Sequence, residues 1–126
     1  MQRIVIASLL ACTAFTQETP IVWGGDHVRM QVSAKSATLD FDCAHGTVDG
    51  ALTPDSKGRF EVKGTFTPEH AGPVREDISL TRPATFSGTI NGDAMTLRIT
   101  FGGEDPPPPA VFELTRGREG RVHKCR

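Results

Sequence analysis

Apolar and polar residues alternate with a period of two along most of the chain from Val28 to Leu114. The clearest run is Met95-Thr96-Leu97-Arg98-Ile99-Thr100-Phe101, in which every second residue is apolar. A β-strand places successive side chains on opposite faces, so this pattern predicts strands with one buried face. No window of comparable length repeats with the 3.6-residue period of an amphipathic helix. The sequence therefore predicts an all-β protein.

Turn signals separate the alternating runs. Asp55-Ser56-Lys57-Gly58 and Asn91-Gly92-Asp93 are typical of short hairpin loops. Short links make strands that are neighbours in sequence pair in space, which predicts an antiparallel meander. A twisted sheet of this size with one apolar face curls, and closure removes its exposed edges. We expect about eight strands in a closed or nearly closed small barrel over residues 21–126: 21–24, 27–33, 37–43, 47–53, 58–66, 84–90, 94–101 and 110–116, with 121–125 a possible ninth.

The start of the chain has the parts of a secretory signal. Arg3 precedes an apolar run over 4–11, which ends in Leu9-Leu10-Ala11-Cys12. We expect a signal peptide over 1–11 and a polar tether over 12–20; an N-terminal core strand with a free Cys12 is the alternative. The tetrad also resembles the bacterial lipobox, and that resemblance implies a lipid on Cys12. The expected location is the periplasm or the cell surface, with membrane contact only through that lipid.

Two further cysteines, Cys43 and Cys125, form an even pair in a chain that we expect to be exported. Such a pair predicts a disulfide, and the alternative is two reduced, buried thiols.

Charge and length narrow the classes of partner. The 126 residues suffice for one core, and 14 basic against 15 acidic residues give a net charge of −1 without a basic stripe. We therefore expect a monomer that does not bind nucleic acid.

Glycines at inward positions suggest two uses. Gly50, Gly64 and Gly88 lie in three neighbouring predicted strands. They either let the sheet bend sharply, which is our preferred interpretation, or leave room inside the barrel for a ligand. Trp23 is similarly open to two roles, a core plug or a stacking platform. The candidate ligand-binding residues are thus Trp23, Gly50, Gly64 and Gly88.

Metal binding is the most specific chemical hypothesis that the residue types support. His27, Asp42 and His45, with Cys43, would supply zinc ligands if the strands that carry them pair. No C-x-x-C or H-x-x-x-H spacing completes the set, and a disulfide would withdraw Cys43. No Gly-x-Ser-x-Gly elbow is present for nucleophilic catalysis. We expect a protein that needs no cofactor and is not an enzyme.

Several short segments resemble a group of small bacterial exported proteins that carry no assigned activity. The paired segments are Trp23-Gly24-Gly25-Asp26-His27 and Asp42-Cys43-Ala44-His45-Gly46, and the resemblance extends over most of the domain. It implies export but no activity. The early strand tryptophan and the meander are also similar to lipocalin-like barrels, by fold analogy only.

These observations favour an exported binding module that takes a small apolar molecule inside the barrel. One alternative is interaction with an envelope protein through the loops 67–83 and 102–109. The other is a metal-binding protein or hydrolase centred on His27, Asp42 and His45.

Overall fold

A computed structural model describes residues 19–69 and 80–125 of the chain. Within these residues the protein is all-β, with eight antiparallel strands. Each strand pairs with the next, and β8 pairs back to β1, which closes the barrel and confirms the predicted fold class. The strands are β1 Ile21–Gly25, β2 Val28–Val32, β3 Ala37–Phe41, β4 Ala44–Val48, β5 Arg59–Pro68, β6 Arg82–Asn91, β7 Ala94–Phe101 and β8 Ala110–Arg116.

The barrel interior is built from the alternate apolar residues. Along β7, Met95, Leu97 and Ile99 are buried while the residues between them are exposed. Burial of each such side chain contributes about 1.5–3 kcal/mol, so the period-two pattern fixes which face turns inward. No polar or charged residue of the described ranges is buried. The core consists of Trp23, Val28, Met30, Ala37, Leu39, Phe41, Ala44, Val48, Phe60, Ala84, Phe86, Met95, Leu97, Ile99 and Leu114.

The fourth strand begins earlier than its predicted range of 47–53. A two-residue turn at Asp42 and Cys43 leads directly into β4, and Cys43 adopts a left-handed conformation with φ of 53°. Gly46, which falls between the predicted strands 37–43 and 47–53, is instead buried in β4 and pairs with Leu39 and Phe66. The possible ninth strand over 121–125 is reduced to one isolated parallel bridge between Asp26 and Arg121.

The C-terminal tail, residues 117–125, folds back along the outside of the barrel. Gly117 and Gly120 have φ of 81° and 80°, a region that favours glycine, and they allow the chain to turn after β8. Backbone hydrogen bonds then join the tail to Val22 and Gly25 of β1. A disulfide between Cys43 and Cys125 ties the end of the tail to the β3–β4 turn, with 4.9 Å between the two Cα atoms.

One end of the barrel, which we call the mouth, carries the features considered next. The β1–β2 turn at Asp26 and His27, the β3–β4 turn and the β7–β8 connection 102–109 lie at this end, because alternate connections of a meander share an end. Part of the predicted interaction loop, 70–79, lies outside the described residues. The predicted signal peptide, most of the tether and the lipid site Cys12 also lie outside them.

Candidate functional site

Inward-facing aromatic residues at the mouth enclose a cavity of about 160 Å³. It is half-enclosed and opens at the end of the barrel. We call it the phenylalanine pocket. Its lining combines four phenylalanines and two aliphatic residues with one histidine and one carboxylate at the rim: Phe41, Phe66, Phe101, Phe112, Ile99, Ala110, His27 and Asp42.

The phenylalanine rings pack against one another around this space. Phe41 lies 5.5 Å from Phe66 and 5.2 Å from Phe112 between ring centroids, and Phe66 lies 4.8 Å from Phe101 with an edge-on geometry. Tilted and edge-on pairs at these distances are favourable. Phe66, Phe101 and Phe112 remain only half-buried despite these contacts. The packed rings therefore form an apolar lining, part of which remains exposed to solvent.

His27 and Asp42 meet at the pocket rim. The His27 Nδ1 lies 2.5 Å from Asp42 Oδ2, and the backbone N–H of His123 donates to Asp42 Oδ1 at 2.7 Å. The His123 N–H holds the pKa of Asp42 below its ordinary value; partial desolvation opposes this, and the hydrogen bond and charge of His27 add to it. Asp42 is therefore an ionised acceptor that orients His27.

The orientation of His27 leaves its other ring nitrogen available. A carboxylate accepts hydrogen bonds, so Nδ1 is the donor, and in neutral imidazole Nε2 then carries the lone pair. The His27 side chain is 65% exposed. It borders both the phenylalanine pocket and a larger, more polar depression of about 510 Å³ outside β8, where Arg118 lies 3.5 Å from Asp26. A ligand that enters the pocket from solvent can thus reach His27.

A separate charged cluster lies beside the disulfide. The Lys124 Nζ donates to Glu69 at 2.7 Å and lies 3.1 Å from Asp40, while His45 lies 3.5 Å from Glu69. The hydrogen bond from Lys124 lowers the pKa of Glu69 in spite of desolvation. Desolvation lowers the pKa of Lys124, but its bonds to Glu69 and Asp40 outweigh this and raise it overall. His45 therefore belongs to an ion-pair cluster that fastens the tail.

The structure separates the predicted metal ligands. His27 contacts Asp42, whereas His45 contacts Glu69, and Cys43 is in the disulfide. Over 19–69 and 80–125, no three His, Cys, Asp or Glu side chains form a group that could hold a metal ion. Of the predicted metal set, the geometry brings only His27 and Asp42 together.

The four predicted ligand-binding residues lie away from the pocket. Trp23 is 2% exposed in the core, with the Arg116 guanidinium 5.1 Å from its ring centroid. Gly64 and Gly88 face backbone carbonyl groups of neighbouring strands, and Gly50 follows the end of β4. A ligand role for these residues stays a prediction, and the geometry gives Gly64 and Gly88 a clear part in the close approach of strands.

Sequence reasoning missed all six apolar residues of the pocket: Phe41, Phe66, Ile99, Phe101, Ala110 and Phe112. All six stand at inward positions at or near strand ends, and those ends meet at the mouth. The signal that could have found them is an excess of aromatic residues at strand ends that share one side of a meander.

None of the described segments is a helix with the length and apolarity needed to cross a membrane. Comparison with protein-family models, with curated proteins and with solved structures found no match for this chain.

Proposed function

We propose that the protein is a non-catalytic binding module that takes a small apolar group in the phenylalanine pocket. The single observation that carries this proposal is the half-open aromatic cavity of about 160 Å³ at the barrel mouth. Dry apolar cavities of roughly 150 Å³ bind benzene or xenon in other proteins. The pocket matches one aromatic ring or a few methylene groups in size.

The size of the pocket also limits the ligand. Pockets for drug-sized molecules are typically about 300–1,000 Å³, which exceeds the phenylalanine pocket. Below the mouth, Leu39, Phe86 and Leu97 fill the interior. The ligand therefore inserts one small apolar group and leaves the remainder of the molecule outside, near His27.

Toluene titration followed by NMR of the phenylalanine ring protons tests the proposal. We expect saturable shifts of the Phe41 and Phe112 rings in the wild-type protein. Ala110→Leu should abolish them, because the added carbons occupy the cavity that Ala110 lines. The matched control is Thr100→Leu on the exposed face of β7, which adds an apolar side chain outside the pocket and should leave toluene binding unchanged.

Two results would contradict the pocket proposal. One is the absence of saturable shifts in the wild-type protein. The other is undiminished toluene binding by an Ala110→Leu variant whose folded spectrum is intact.

We also propose export to an oxidising compartment. The apolar run after Arg3 and the Cys43–Cys125 disulfide support this, because such bonds persist outside the cytosol. Intact-mass measurement on protein from its own cell envelope tests it. A mature chain that starts at Cys12 and carries acyl chains would support lipidation, whereas an unprocessed chain with both thiols reduced would contradict export.

Contact with an envelope partner is the alternative proposal. Residues 103–109 of the β7–β8 connection, including Pro106–Pro109, are exposed beside the pocket. A polyproline run is stiff and loses little entropy on binding. If the wild-type protein binds no apolar probe, this surface becomes the better candidate.

A further inference from the structure

We infer that His27 selects the ligand of the phenylalanine pocket and that the preferred class is a neutral aromatic alcohol of phenol size. The inference rests on the proposed function. It adds that the ring enters among Phe41, Phe66 and Phe112 while its hydroxyl group donates a hydrogen bond to His27 Nε2.

The pocket has the size and the walls to hold an aromatic ring. The pocket volume of about 160 Å³ accommodates one six-membered aromatic ring. The walls are themselves phenylalanine rings in tilted and edge-on arrangements, and a further ring can join such a cluster with favourable geometry. A flat aromatic group therefore gains more contact here than a flexible chain of equal volume, which must also lose rotamer freedom.

The rim of the pocket carries a hydrogen-bond acceptor. His27 uses Nδ1 to donate to Asp42, so its Nε2 in the neutral ring accepts but does not donate. A ligand with a hydroxyl group next to the ring satisfies that acceptor. An ether or a methyl group at the same place does not, which makes the rim selective for a donor.

The rim of the pocket also carries a negative charge. Asp42 is an ionised carboxylate at the rim, with Oδ2 bound to His27 and Oδ1 bound to the His123 N–H. Its negative charge repels a carboxylate or phosphate group on the ligand. Because both carboxylate oxygens already accept hydrogen bonds, Asp42 directs His27 instead of serving as the main contact for the ligand. This leaves donors without negative charge, and we propose the neutral hydroxyl group among them.

Affinities of phenol, anisole and toluene for three proteins at pH 8 test the inference. We expect the phenol-to-toluene affinity ratio to be about fivefold higher in the wild-type protein than in His27→Asn, which corresponds to one neutral hydrogen bond. Comparing this ratio between the two proteins cancels the difference in hydrophobicity between phenol and toluene. Asparagine suits the left-handed conformation of residue 27, where φ is 70°, and its side chain is shorter than that of histidine, so it keeps the turn but cannot place an acceptor at the position of Nε2.

Asp42→Asn is the second variant. An amide can donate to Nδ1 as well as accept from it, so it no longer fixes the imidazole tautomer. We expect anisole, which only accepts hydrogen bonds, to gain relative to phenol in this variant. A residue with only a structural role would not change this order of the probes.

The outcomes separate the two proposals. If no probe binds the wild-type protein, the proposed function itself fails. If toluene binds but the phenol-to-toluene ratio is the same in the wild-type protein and His27→Asn, the pocket stands and the inference about His27 is overturned.

Discussion

Asp42 accepts hydrogen bonds from two parts of the molecule that are distant in sequence. The His123 N–H from the tail reaches Oδ1, and the His27 ring from the β1–β2 turn reaches Oδ2. Asp42 itself lies in the β3–β4 turn beside the disulfide cysteine Cys43. A single side chain thus joins the tail, two turns and the pocket rim.

We expect the contribution of the Asp42 carboxylate to folding stability to be lost at acid pH. The pKa of Asp42 in the folded protein lies below its ordinary value of 3.8, so its contribution is complete above 3.8 and is lost as the pH falls through the folded value. We expect the wild-type protein to exceed Asp42→Asn in unfolding free energy near neutral pH. That difference should shrink as the pH falls from about 4 through the folded pKa of Asp42. Urea unfolding across this range measures it.

Asp55→Asn provides a positive control for that measurement. The Asp55 carboxylate accepts backbone N–H groups of Arg59 and Lys57, which lower its pKa, and it lies in the β4–β5 connection. The same direction of pH dependence is expected there without any change in toluene binding. A pH-independent difference between the wild-type protein and Asp42→Asn would show that Asp42 does not stabilise the folded state through its charge.

The sequence grouped His27 with Asp42 in one candidate site, and the structure brings these two side chains into contact. Residue types alone suggested metal ligands, and the same types can form an imidazole–carboxylate pair. The choice depends on the left-handed turn at His27 and on the His123 N–H, which arrives from 81 residues away. A local sequence pattern cannot predict a contact between two residues that are so far apart in the chain.

Gly64 and Gly88 show how individual strands of the barrel are shaped. A Cβ on Gly64 would overlap the carbonyl oxygen of Thr47 on β4, and one on Gly88 would overlap that of Thr96 on β7. Phe86 and Phe60 rings would lie only 3.0 Å and 3.2 Å from these two added atoms. Both glycines therefore allow the backbones of neighbouring strands to approach closely while aromatic rings fill the interior above them.

Alanine at these positions should destabilise the barrel. We expect Gly64→Ala and Gly88→Ala each to lower the free energy of unfolding by about 1–3 kcal/mol, because rigid backbone must move. Gly50→Ala is the matched control, since its Cβ would meet only the Val62 side chain at an ordinary 3.6 Å, and it should change stability by less than about 0.5 kcal/mol. Thermal and urea unfolding give the values.

Equal stability of Gly64→Ala and Gly50→Ala would contradict the backbone-approach explanation. Toluene affinity of the folded variants adds an independent check. If the glycines made room for the ligand, Gly64→Ala and Gly88→Ala would weaken binding at unchanged stability.

Strand identity was predictable and strand boundaries were not always so. The alternation located β5 to β8 closely, since runs such as Met95 to Phe101 have one strict apolar face. β4 was displaced because Ala44, Gly46 and Thr47 carry little hydrophobic contrast, and the turn depends on a left-handed Cys43. Where apolar and polar residues contrast weakly, pairing with neighbouring strands sets the register of a strand. For β4 these neighbours are β3 and β5.

The disulfide links the β3–β4 turn of the barrel to its last described residue. Cys43 and Cys125 are separated by 82 residues, a loop that contains most of the sheet. Beyond the strands, the tail donates backbone N–H groups of Gly117 and Arg121 to β1 and of His123 to Asp42. The tail thus lies along the outside of β1 and reaches the β3–β4 turn, while the apolar core lies wholly within β1 to β8.

Removal of the disulfide should therefore lower stability yet leave the barrel intact. Closing an 82-residue loop is worth about 4–5 kcal/mol by chain entropy, which is an upper value, so Cys43→Ser/Cys125→Ser should lose up to that amount. Reduced wild-type protein is the matched control and should agree with the double variant. Because the core contacts do not involve the tail, local opening should quicken amide exchange at Gly117, Arg121 and His123, while exchange at Leu97 and Ile99 should quicken only by the loss of global stability and stay slower than in the tail. If the β7 amides exchanged as fast as those of the tail, the disulfide would be holding the whole barrel closed and not only fastening the C-terminal tail.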